Sequence, residues 1–228
     1  MSSRTYGQFC GLARALEIIG ERWSLLIVRD LVLGPKRFTE LQAGLPKIPA
    51  STLSARLNEL EQSGVLRRRL LPQLDAAVVY ELTEYGGELD QIVLDLGLWG
   101  ARSLGRPAPE DVFTLDSAIL SLYTTFQSEK AKGIHATYEL RYPGEMVLHA
   151  IIEDGALKVA DGAHPGADAT IEPLGPFIKE LLSGELSPAD ALRTGKVRIE
   201  GAPEYLDLFT ELFHIPAAPE VSTGIVVR

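Results

Sequence analysis

The chain has 228 residues, 46% of them hydrophobic and 23% charged, which suits a globular protein of one large domain or two ordinary ones. Its longest apolar candidate for a membrane span, "LLIVRDLVL", is nine residues long and carries Arg29 and Asp30 at its centre, so no bilayer-crossing helix is expected. A single cysteine, Cys10, excludes an intrachain disulfide, and a formal net charge of -9, taken as a whole, disfavours anionic partners.

That charge is unevenly distributed. Residues 1–106 hold 13 Lys+Arg against 12 Asp+Glu, whereas residues 107–228 hold 9 against 19. Residues 22–72 alone carry nine cations and four anions. One local surface can therefore meet an anion although the chain as a whole is acidic. The N-terminal stretch "MSSRTYGQFCGLARALEIIG" lacks the charged start, apolar middle and cleavage site of a signal peptide. With the lone cysteine, this predicts a cytoplasmic protein. The apolar periodicity stops in "RSLGRPAPEDVF", residues 102–113, which reads as a linker. Two domains are expected, 1–106 and 107–228.

In chain order, "FCGLARALEII" places Phe9, Leu12, Ala13, Leu16 and Ile19 at helical spacing. "ERWSLLIVRDLVLG" repeats the pattern with Trp23, Leu26, Ile27 and Leu31. "RFTELQAGLP" predicts a short helix with Phe38, Leu41 and Leu45 inward, stopped by Pro46. "STLSARLNELEQSG" predicts a fourth helix with Leu53, Leu57 and Leu60 on one stripe and Gly64 as its C-terminal cap. The period then changes. "VLRRRLL" and "AAVVYELT", separated by "PQLDA", read as a β-hairpin. "TEYGGELDQIVLDLGLWGARSL" follows, with Leu89, Ile92, Val93, Leu96 and Trp99 as the stripe of one helix of about five turns, capped by Thr83.

A helix, a short turn, a polar-faced helix and a hairpin suit a helix-turn-helix with a wing. The fourth helix leaves Ser51, Thr52, Ser54, Ala55, Arg56 and Asn58 off its apolar stripe. Short and hydrogen-bonding side chains near a helix N-terminus are what reach base edges in a groove. Lys36, Arg37, Arg67, Arg68 and Arg69 are the candidate phosphate contacts. Strand alternation puts Arg67 and Arg69 on one face and Arg68 on the other, so the third arginine is expected to pair with an acid or remain in solvent. The alternative for "RRR" is a solvated hairpin on an ordinary helical domain.

These segments resemble the HxlR-type winged-helix transcription regulators, relatives of the MarR type. The carrying motifs are the N-terminal cysteine, "ALEIIGERWSLLIVRDL", "GPKRFTEL", "LSARLNELEQSGVLRR" and "YELTEYG", across residues 8–104. The resemblance implies a homodimer on double-stranded operator DNA, with the terminal helices of the domain at the interface. Leu12, Leu16, Leu89, Ile92, Leu96 and Trp99 are the candidate interface residues. It also makes Cys10 a redox-sensing candidate; the other reading of Cys10 is a small buried hydrophobe. Pro49 stands where the family often has a small polar residue, which shifts the expected helix start to Pro49 or Ser51.

Beyond residue 113, "DSAILSLYTTFQSEK" is helical by spacing. "HATYELRY", "EMVLHAIIEDG", "ALKVADG" and "ADATIEP" are strand-like. Two helical pieces joined at Gly184, the strand "KVRIEG" and the helix "PEYLDLFTELF" complete the half. Strands first and helices later predict α+β. The segments "ELRYPGEMVLHAIIEDGALKVADG", "ADATIEPLGPFIKELLSGELSPADAL" and "GKVRIEGAPEYLDLFTELF" resemble the sterol-carrier-protein type-2-like domain. That resemblance implies an apolar cavity for a small hydrophobic ligand. Tyr123, Phe126, Tyr138, Ile151, Phe177, Ile178, Leu181, Leu192 and Phe209 are the candidate lining, although an ordinary core fits the same pattern.

Chemistry of other kinds leaves little trace. His135, His149, His164 and His214 are widely spaced, so neither a metal site nor a cofactor is expected. No "GxxxxGK[ST]" phosphate loop and no "GxSxG" nucleophile elbow is present, so no enzyme is expected. The sequence thus predicts an α+β chain: a DNA-binding winged helix-turn-helix followed by a sterol-carrier-like ligand domain. The competing expectation is an apolar-ligand carrier that uses its winged helix only to dimerise.

Overall fold

Apolar spacing sets the first helices. The computed structural model describes residues 5–71 and 77–218. It forms α1 over Gly11–Ile19 and α2 over Ser24–Val32. Phe9, expected inside the first pattern, precedes α1 and is exposed. Trp23 opens α2 with a left-handed backbone, φ 83°. Such a conformation costs a bulky residue about 1–3 kcal/mol and persists only when packing holds it; Trp23 packs against the core of this unit.

Lys36–Arg37 form β1, a strand that the sequence reading missed because two residues carry no period. α3 spans Phe38–Gly44, and the Arg37 N–H donates to the Glu40 carboxylate at 2.6 Å. α4 spans Ala50–Gln62 and begins directly after Pro49. It ends at Gly64, whose φ of 75° lets the Val65 N–H turn back to the Leu60 carbonyl at 2.9 Å.

The hairpin forms as β2, Leu66–Leu71, and β3, Ala77–Leu82, in antiparallel register with Arg67 opposite Glu81 and Arg68 opposite Tyr80. Its connection "PQLDA", residues 72–76, lies outside the described residues. β1 pairs with the other edge of β3, giving the order β1-β3-β2. Ile27, Val28, Leu41, Leu53, Leu57 and Leu60 form the buried core beneath.

The expected five-turn helix is two helices: α5, Glu84–Gly87, and α6, Asp90–Ala101. Periodicity overlooked the break because the apolar stripe continues past Gly86 and Gly87. Thr83 caps α5 as expected, accepting the Gly86 N–H at 3.0 Å. A Cβ on Gly86 would lie 1.9 Å from the Val65 carbonyl oxygen, so only glycine permits this approach. The chain divides into two compact units, Met1–Asp95 and Leu96–Arg228. The divide falls within α6, ahead of residues 102–113, which contain no helix or strand.

After the end of α6, the second unit holds α7, Leu115–Thr125, and four strands: β4, His135–Tyr142; β5, Met146–Glu153; β6, Ala156–Asp161; and β7, Ala169–Pro173. α8, Ile178–Leu182, and α9, Pro188–Arg193, precede β8, Val197–Glu200, and α10, Glu204–Leu212. The five strands order as β6-β5-β4-β7-β8, antiparallel except where β4 meets β7. Along β4 and β5, Tyr138, Leu140, Leu148 and Ala150 point into the core, while Arg141 alternates outward. The overall class is therefore α+β. Among the described residues, no helix is long and apolar enough to cross a membrane.

Candidate nucleic-acid interface

α4 has two distinct faces. Leu53, Leu57 and Leu60 are buried at helical spacing and anchor it to the core. Ser51, Ser54, Ala55 and Asn58 are exposed, and Thr52 is half-buried. Pro49 supplies no side-chain acceptor, so the first amides of the helix have no side-chain cap. An uncapped helix N-terminus carries partial positive charge and favours an anion such as a phosphate.

Arg56 departs from the expected arrangement. Its Nη1 lies 2.5 Å from Glu59 Oε2 and 3.5 Å from Glu21 Oε2, and the side chain is only 18% exposed. Two neighbouring carboxylates draw the guanidinium along the helix instead of outward, which spacing alone did not reveal.

The three wing arginines alternate as expected, but all three pair with acids. Arg67 Nε lies 2.7 Å from Glu81 Oε1, and Arg69 Nη2 lies 2.8 Å from Glu81 Oε2. On the opposite face, Arg68 donates twice to Glu61, at 3.0 and 2.6 Å. This bond pulls the Glu61 carboxyl below its ordinary pKa and raises that of Arg68. Only one arginine was expected to find an acid. Glu61 lies on α4 and Glu81 on the other strand of the hairpin, so neither pairing follows from the period along β2 alone. The arginines nevertheless remain about half or more exposed.

The remaining basic candidates lie beside β3: Arg37 is exposed and Lys36 half-buried. Lys47, exposed in the turn between α3 and α4, escaped the sequence reading. Its position in the turn of a helix-turn-helix was the available signal.

The expected interface residues divide. Leu12, Leu16, Ile92, Leu96 and Trp99 are exposed, Trp99 by 72%. On α6, Ile92, Leu96 and Trp99 follow a spacing of four and then three residues, which is one helical face. Leu89 departs from this group and packs against the N-terminal core. Cys10 is exposed, not a buried hydrophobe. The backbone amides of Ala13 and then Leu12, at the start of α1, favour its thiolate and lower its pKa.

The expected lining residues fall into several groups, one of them an aromatic cluster. Tyr138 and Phe209 are fully buried with ring centroids 5.2 Å apart, and Phe209 meets Phe213 at 4.6 Å. Leu181 is buried, while Tyr123, Phe126, Phe177 and Ile178 are half-buried, with the Phe126 ring 5.5 Å from that of Phe213. Leu192 instead lines a groove of about 340 Å³ with Arg141, Glu172, Arg198 and Glu200. Ile151 lines another of about 220 Å³ with Glu153 and Lys158. Among the described residues, no group of three or more His, Cys, Asp or Glu converges to hold a metal ion.

Comparison with known proteins bears on the same segment. The family model described as HxlR-like helix-turn-helix matches residues 18–107. The uncharacterized HTH-type transcriptional regulator YtcD of Bacillus subtilis (strain 168) is 37% identical over 106 residues, 46% of this chain and 84% of YtcD. The HTH-type transcriptional regulator YodB of the same organism is 39% identical over 85 residues, 37% of this chain and 76% of YodB. A solved structure of reduced YodB from B. subtilis, 33% identical, covers 44% of this chain and all of its own, with a TM-score of 0.38. With most of YtcD and YodB covered at this identity, and with the matched residues containing α4 and the wing, the chain belongs to the HxlR-like helix-turn-helix family.

Proposed function

We propose that the protein is a sequence-specific, dimeric DNA-binding transcription regulator. The observation that carries this reading is α4: a polar, exposed face on a leucine-anchored helix, beside a wing bearing three exposed arginines. In this reading α4 enters the major groove, and Ser51, Thr52, Ser54 and Ala55 meet base edges. Asn58, on the same exposed face, joins them. Arg56 positions α4 through Glu21 and Glu59. Lys36, Arg37, Lys47 and the wing arginines meet phosphates. The exposed side chains of α1 and α6 provide apolar surface for a second copy, because contiguous exposed apolar residues favour burial.

The C-terminal unit is read as a sterol-carrier-like domain that senses a small hydrophobic ligand. A five-stranded sheet with aromatic side chains buried on its inner face supports this. Binding there requires the rings of Tyr138, Phe209 and Phe213 to separate. A ligand then regulates DNA binding only if it prefers one of two conformations.

Fluorescence anisotropy with DNA from upstream of the protein's own coding region, beside a scrambled duplex, tests the reading. Binding that prefers the native sequence and falls with salt at a log–log slope near about -5 is expected if six phosphates are neutralised per dimer. Weak, equal binding to both duplexes counts against this DNA as target. Native mass spectrometry of the purified protein tests for a retained ligand.

A further inference from the structure

We infer that Glu81 tempers the wing: its buried carboxylate holds Arg67 and Arg69 on one strand face and cancels half their charge, so that it sets the sequence-independent part of DNA affinity. The inference rests on the DNA-binding reading above. Glu81 lies directly opposite Arg67 across the hairpin and diagonal to Arg69. Its side chain is 10% exposed, while those of Arg67 and Arg69 are 64% and 48% exposed. The anion therefore lies beneath the cations and keeps them facing outward. Each guanidinium has five N–H donors in a planar fork, so a bond to Glu81 leaves donors for a phosphate.

Charge accounting gives the consequence. Two arginines over one carboxylate leave a single net positive charge on this face. Phosphates are alike in every sequence, so the arginine charge that Glu81 cancels is lost equally to all duplexes. The salt slope follows the number of phosphates neutralised, at about 0.9 per phosphate. Removing the carboxylate should therefore strengthen binding and steepen that slope. A merely structural role for Glu81 predicts weaker binding when it is lost.

The test uses the full chain, E81Q, R67Q/R69Q and the triple variant. Each is titrated by anisotropy against one duplex and its scrambled copy at several salt concentrations. E81Q is expected to tighten both duplexes equally, by about fivefold at low salt, on the scale of one surface ion pair. Its slope should become more negative by about 1 per protomer. In the R67Q/R69Q background the tightening should be much smaller, because Glu81 acts through those arginines. E81A, measured alongside, serves if E81Q fails to fold by circular dichroism. Unchanged slope or weaker binding, with normal wild-type binding, overturns the inference and leaves the DNA reading standing. Absence of salt-dependent binding to either duplex by both wild type and E81Q overturns the DNA reading and this inference together.

Discussion

Arg68 in the wing and Glu61 in the last turn of α4 are joined through two hydrogen bonds, Nε to Oε1 at 3.0 Å and Nη2 to Oε2 at 2.6 Å. This bidentate pair ties the wing to the helix proposed to read DNA. It also keeps the Glu61 carboxyl below its ordinary pKa, chiefly by the Arg68 hydrogen bond. A carboxyl lowered in the folded state stabilises it above the ordinary carboxylate range, and that contribution is lost as pH falls through the lowered value. R68Q should return the Glu61 carboxyl to the ordinary carboxylate range, read by carboxyl NMR. A wild-type Glu61 that already titrates there would show that the pair does not persist in solution.

Arg68 of the wing and Arg56 of α4 should behave differently on DNA. R68Q is expected to weaken all duplexes evenly, because a phosphate contact carries no sequence information. S54A is expected to reduce discrimination at its contacted base, on the order of 1 kcal/mol. R56Q should instead lower thermal stability, because its partners are Glu21 and Glu59. Competition binding on single-base operator variants, with melting curves, separates these effects. Relaxed base preference in R56Q with unchanged stability would restore Arg56 to base reading.

Gly86 is the sterically closed position of the wing base. G86A should destabilise the first unit by roughly 1–3 kcal/mol or more, because the new Cβ meets a backbone carbonyl and not a flexible side chain. T83A should cost about 1 kcal/mol by removing the cap of α5. Urea denaturation measures both. A neutral G86A would mean that the chain at Val65 yields freely.

The exposed face of α6 predicts the oligomeric state. L96E and W99A should each shift a dimer toward monomer in sedimentation equilibrium while far-UV circular dichroism is retained. Charge at Leu96 should act more strongly than truncation of Trp99, since an unpaired buried carboxylate is costly. Unaltered dimers in both variants would place the interface elsewhere.

Cys10 is exposed and its thiolate is favoured by the first amides of α1. It should therefore react with iodoacetamide faster than a free thiol of ordinary pKa at neutral pH, and be oxidised by hydrogen peroxide to a sulfenic acid, with release of water, detectable by mass spectrometry. Changed operator binding after oxidation in wild type, but not in C10S, would make it a sensor. A thiol unmodified by mild peroxide ends that idea.

Periodicity alone determined most elements of this chain. The leucine stripe of α4 specified which face is buried, and Gly64 specified where the helix stops, because both follow from local backbone geometry. The alternation of "RRR" placed Arg67 and Arg69 together for the same reason. The tertiary structure decided what those side chains face. Glu81 reaches Arg67 through hairpin register, Glu61 reaches Arg68 from the preceding helix, and Glu21 helps hold Arg56 from the turn before α2. Gly86 meets the Val65 carbonyl in α5, just before the break that splits the expected long helix, and the rings of Tyr138, Phe209 and Phe213 pack together in the second unit. A sequence period reports the face that a residue occupies on its own element. The partner across space depends on how elements pack, which no single period encodes.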